Sequence, residues 1–71
     1  MSIMWKLNNT QIEKYNEYEQ HWRNKIKDKS KEDALKELEE SKFYIDMIDH
    51  WDIEDEMVED ILSDLIKELE V

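Results

Sequence analysis

The stretch DIEDEMVEDILSDLIKELE, residues 52–70, decides the fold. Met57, Val58, Ile61, Leu62, Leu65, Ile66 and Leu69 recur at three- and four-residue steps, which lays a broad apolar face along one helix. Asp52, Glu56, Asp60, Asp64 and Glu68 stand four apart and form a second row on the same helix. Residues at that spacing share a face, about 6 Å apart along the axis. Asp55 and Glu59 lie beside the row, and Asp46 and Asp49 extend the acidic surface toward the preceding segment. Like charges four apart oppose a helix by a few tenths of a kcal/mol per pair. A helix shaped by stability alone would alternate Glu with Lys, yet Lys67 is the only base here.

Upstream, the periodicity continues. Leu35, Leu38, Ile45 and Ile48 form a stripe that Phe43, Tyr44, Met47 and Trp51 widen. Ser30-Lys-Glu-Asp33 is a cap signal, so a second helix is expected over about 31–50. Asp49 or Asp52 can cap the third helix, expected over 52–70, with acids in its first turn. No Gly or Pro forces a break there, so one long helix is an alternative. Thr10-Gln-Ile-Glu13 reads as a capping box. Behind it Ile12, Tyr15, Tyr18, Trp22 and Ile26 form the stripe of a first helix over about 10–28, with Lys25, Lys27 and Lys29 where the helix dipole favours cations. In residues 1–9, Ile3, Trp5 and Leu7 alternate but Met4 spoils the pattern; an extended arm and a helical turn both fit. The fold class is therefore all-α: a single domain over 1–71, built as a small three-helix bundle. A chain of 71 residues buries little of its surface alone, so dimerisation is expected.

Composition narrows the function. Gly, Pro and Cys are absent. That removes phosphate-cradling glycine loops, disulfides and thiolate metal sites. No apolar run approaches the ~20 residues of a membrane span, and residues 1–20 lack the features of a signal peptide, so a soluble cytoplasmic chain is expected. Glu17 with His21 and Asp46 with His50 stand four apart; the di-iron bundle signature needs three, so no metal or other cofactor is expected. Carboxylates abound, but a working acid–base pair needs a cleft that separates their pKa values, and a chain this short can hardly enclose one. No enzyme activity is expected.

The charge distribution is uneven. The net charge is −10, with 20 acidic and 10 basic residues. Residues 1–29 sum to +2 and residues 30–71 to −12, and no base falls between Lys42 and Lys67. A rigid carboxylate row at about 6 Å pitch offers a line of charge comparable to a DNA strand, whose phosphates rise about 3.4 Å each. The chain resembles, in size and in charge pattern over residues 46–70, the acidic DNA-mimic proteins that bacterial viruses make against host enzymes. No motif extends that resemblance, so it carries over no residue roles. It implies a phage-encoded inhibitor that occupies the groove of a basic DNA-binding protein of a bacterial host. The partner-binding residues would be Asp46, Asp49, Asp52, Asp55, Glu56, Glu59, Asp60, Asp64 and Glu68, with Trp5, Tyr18 and Phe43 as aromatic anchors. Tyr15, Trp22, Tyr44 and Trp51 fit the stripes as core or dimer contacts. The plain alternative for the row is a solvated face. The alternative function is an interaction module (antitoxin, immunity protein or adaptor) that binds through its aromatic and apolar face. Arg23, Lys25, Lys27, Lys29 and Lys31 do not share one stripe, and the acidic chain repels phosphate; direct nucleic-acid binding is not expected. Their expected role is attraction to the acidic helix, within one molecule or between copies. Membrane-surface binding is disfavoured, because the polar face is acidic.

Overall fold

A computed structural model describes residues 3–71. The described chain is all-helical, with a 3-10 turn at Met4–Lys6 followed by α1 (Asn9–Ile26), α2 (Lys31–Asp46) and α3 (Ile53–Glu70). Of the two forms open to the first nine residues, the backbone takes the helical turn where it is described, closed by Lys6 N donating to Ile3 O at 3.1 Å. An extended arm at residues 1 and 2 lies outside the described residues.

Four boundaries differ from the expected ones, by one to four residues, each for a hydrogen-bonding reason. The first helix begins one residue early, because Asn8 and Gln11 form the capping box rather than Thr10 and Glu13. Asn8 Oδ1 accepts from Gln11 N at 2.9 Å, and Asn8 N donates to Gln11 Oε1 at 3.0 Å. Asn is the stronger cap. The same helix stops at Ile26, whose carbonyl accepts from Lys29 N, and Ser30 caps α2 through Asp33 N at 3.2 Å. The second helix ends at Asp46, four residues early. The Ile45 carbonyl would accept from Asp49 N in a continuing helix. It accepts instead from Ile48 N at 3.0 Å and from Trp51 Nε1 at 2.9 Å. Asp52 then caps α3 in a second box with Asp55, so α2 and α3 are separate helices.

The long-range pairs fix the topology. Tyr15 meets Asp60 and Arg23 meets Glu68, eight residues further along both helices, so α1 and α3 run parallel. The return helix α2 is antiparallel to both. The central element is α3, packed against α1 and α2. It supplies Met57, Ile61, Leu62 and Leu65 to a core completed by Leu7, Tyr15 and Leu38. Burying a side chain of this kind stabilises the fold by roughly 1.5–3 kcal/mol. Ile12, Trp22, Ile26 and Ile45 close the margins.

One polar pair sits in this core. The Tyr15 hydroxyl donates to Asp60 Oδ2 at 2.6 Å, and Asp60 is only 7% exposed. Burial, then the hydrogen bond to Asp60 and its charge, push the Tyr15 phenol well above its ordinary value of 10.0. A raised pKa means the neutral phenol is favoured in the folded state. That contribution is complete below pH 10 and is lost as pH rises beyond it. Tyr15→Phe is expected to cost about 1–3 kcal/mol in denaturant unfolding, because it strands a buried carboxylate. The variant should also lose part of the steep destabilisation above pH 10 that a pH-resolved melting series would record for the natural chain.

Candidate functional site

The carboxylate row forms along α3 with its centre, Asp60, buried against α1, while Asp52 and Glu68 at its ends are exposed. Asp52 is the N-cap of α3, and Asp55 is its partner in the box. Glu56 meets Lys6 Nζ at 2.7 Å, and Glu54 beside it meets Lys14 at 3.0 Å. Asp60 is buried on Tyr15. Asp64 is half-buried, and its charge reaches the Tyr15 hydroxyl. Glu68 holds Arg23 through two hydrogen bonds of 3.0 Å. That bidentate pair draws the Glu68 carboxyl below its usual range and raises Arg23. Glu59 turns the other way, toward Lys42 at 3.4 Å and Ser63 at 3.0 Å. The expectation that Asp60 binds a partner is therefore corrected, because its carboxylate is buried. The physical reason is the parallel register of α1 and α3, which sets Tyr15 opposite Asp60 and Arg23 opposite Glu68, while Lys6 of the preceding turn meets Glu56.

The cations follow the attraction expected within one molecule, with one difference in target. Arg23 reaches α3, whereas Lys25 and Lys29 both grip Glu37 of α2, at 3.1 and 3.2 Å, and hold its carboxyl below the usual range. Among the described residues no group of three or more His, Cys, Asp or Glu is placed to hold a metal ion, and no helix is long and apolar enough to cross a membrane.

The solvent-facing feature lies at the other end of α2. Phe43 is 62% exposed, Tyr44 71% and Met47 64%, and Ile48 and Trp51 are more than a third exposed. Phe43 and Tyr44 meet edge to face with ring centroids 6.3 Å apart. The Trp51 indole, held by the Ile45 carbonyl, fixes the turn that carries Met47 and Ile48. From this patch a shallow groove of about 650 Å³ runs back along α2 between the Leu35–Glu39–Phe43 and Lys36–Glu40–Tyr44 lines. Asp46 and Asp49 are exposed within the patch segment, Asp46 paired to Lys42 at 3.3 Å. The surface is thus apolar and aromatic at its centre and acidic at its rim.

Of the expected anchors, Phe43 is in this patch and Trp5 is exposed at the N-terminal turn. Tyr18 is corrected: it is half-buried and packs on the core. Tyr44 and Trp51, read from the stripes as core or dimer contacts, are exposed in this patch and not part of the core, and Met47 and Ile48 were not legible as site residues from helical stripes alone. The signal was present in the width of the second stripe. A helix apolar on both sides in so short a chain cannot bury both, and α2 has only α3 as a main packing partner. The chain matches no protein-family model, no curated protein and no solved structure.

The two acidic regions should respond differently to charge reversal. Asp60→Lys is expected to unfold the chain or to destabilise it by about 3–5 kcal/mol, since it buries an unpaired cation. Asp49→Lys, at an exposed position, should leave stability within about 0.5 kcal/mol. Circular dichroism with urea titration distinguishes them; equal effects would mean that α3 does not present Asp60 to the core.

Proposed function

We propose that the chain is a non-catalytic binding protein for a basic protein partner, which it grips through the aromatic patch at residues 43–51. The observation that carries this reading is the patch itself. Five large apolar side chains stand exposed side by side on a chain of only 71 residues. Contiguous apolar surface of this kind marks interaction sites, and aromatic residues dominate binding energy at interface centres. The acidic rim supplies sign selectivity and speeds encounter with a positively charged surface. The same argument supports the patch as the surface for the self-association expected of so small a chain.

A second reading keeps the DNA-mimic inhibitor, phage-encoded and acting in the bacterial cytoplasm. It is favoured by the net charge of −10 and by Glu39, Glu40 and Asp49, which are exposed and join no ion pair among the described residues. In this form the charge that competes with nucleic acid lies around the patch, not along Asp52–Glu68.

Immobilised natural chain and a Phe43→Ala/Tyr44→Ala variant, each exposed to bacterial lysate, test both readings. Both residues are exposed, so folding should change by no more than about 0.5 kcal/mol. The natural chain is expected to retain a basic protein that the variant loses, with affinity lower by tenfold or more. A protein retained equally by both would sink the patch reading. Displacement of the retained protein by excess duplex DNA would favour mimicry; indifference to the duplex would favour the plain binding module.

A further inference from the structure

At the opposite end of the bundle, the C-terminal turns of α1 and α3 and the start of α2 enclose a cleft of about 520 Å³. Its floor is apolar, with Leu65 and Leu69, and its rim carries four basic side chains, Lys27 and Lys31 among them, and one acid, Glu68. Local physics explains the cations only in part. Lys27 follows the C-terminus of α1, where a positive charge is favoured, but Lys31 is the first residue of α2, where the helix dipole opposes it. Neither joins an ion pair among the described residues, whereas Arg23, Lys25 and Lys29 all do. The cleft therefore has an apolar floor and uncommitted positive charge, on a molecule that is otherwise strongly negative.

The chain itself carries the complementary surface. The patch at Phe43, Tyr44 and Met47 is apolar at its centre and acidic at its rim, and it lies at the far end of α2. Along α2, Phe43 of the patch lies about 18 Å beyond Lys31 of the cleft. We infer that the occupant of the cleft is the aromatic patch of a second copy, so that copies associate head to tail. This inference rests on the patch reading given above and names what else the patch can grip.

Charge decides between this geometry and the commoner two-fold dimer. A two-fold contact is isologous, with one patch facing itself. It would set the net-negative rim of one copy, where Glu32, Glu39, Glu40 and Asp49 outnumber the single Lys36, against the same rim of the other, and like charges across an interface are strongly unfavourable. A heterologous contact sets those acids against Lys27 and Lys31. The net repulsion between two chains of charge −10 is long-range and is largely screened beyond about 8 Å at physiological salt, whereas the contact pairs are not. In this arrangement the cationic cleft stands in for the basic partner, and partner binding and self-association compete for one patch.

Sedimentation velocity on two variants and their mixture tests the inference. Phe43→Ala/Tyr44→Ala removes the patch and keeps the cleft; Lys27→Glu/Lys31→Glu reverses the cleft and keeps the patch. All four positions are exposed. The natural chain is expected to associate with rising concentration. Each variant alone should associate at least tenfold more weakly. An equimolar mixture should form a species of dimer mass and no larger, because one intact cleft meets one intact patch and neither free end can extend. The inference is overturned by a natural chain that stays monomeric to millimolar concentration. It is overturned equally by association that the lysine variant leaves unchanged, or by a mixture no more associated than its parts. A natural chain that stays monomeric yet still binds a basic lysate protein would leave the patch reading standing while the self-docking fails.

Discussion

The register between α1 and α3 is the constraint on which the rest depends. A helix with carboxylates every fourth residue repels itself along its whole length, and its apolar face alone does not remove that cost. The parallel packing of α1 offsets part of it, because an eight-residue step on one helix matches an eight-residue step on the other. Tyr15 then meets Asp60 where Arg23 meets Glu68. The pairs differ in kind. The exposed Arg23–Glu68 bond is bidentate, which favours geometry, but solvent screening leaves such pairs modest in energy. The buried Tyr15–Asp60 bond has no solvent to replace it, so it fixes which face of α3 turns inward.

Once α3 is committed on two sides, α2 is left with one partner and two apolar faces. Leu38 and Ala34 are buried, with Ile45 half-covered, while Leu35, Phe43 and Tyr44 stay on the outer groove. The exposed patch is therefore a consequence of the bundle having three helices rather than four. The short turn after α2 sharpens it, since the Trp51–Ile45 bond ends the helix early and turns Met47 and Ile48 outward.

The helices, their order and most of their caps were readable from spacing, because a 3.6-residue period and cap residues act locally. The all-helical bundle was legible for that reason. What was not legible depends on which helices meet. Asp60 and Glu56 are the same kind of residue at the same spacing, yet one is buried on a tyrosine and the other lies near the surface beside Lys6. Only the packing partner distinguishes them. Likewise Tyr15 and Tyr44 both sit on helical stripes, and only the absence of a fourth helix leaves the second one exposed. The capping box moved from Thr10 to Asn8 because two boxes competed within one turn, a choice settled by tenths of a kcal/mol.

The up–down–up order has an electrical consequence. Asp49, Asp52 and Asp55, which join no ion pair among the described residues, lie between the close of α2 and the start of α3, while Lys27 and Lys31, equally unpaired, lie at the other end. The side chains thus make a permanent dipole along the bundle axis, opposed in α1 and α3 by the backbone's own. A molecule so polarised does not meet a charged surface at random. Near a cationic surface the acidic end swings round first, before any contact forms, so that the aromatic patch leads the approach.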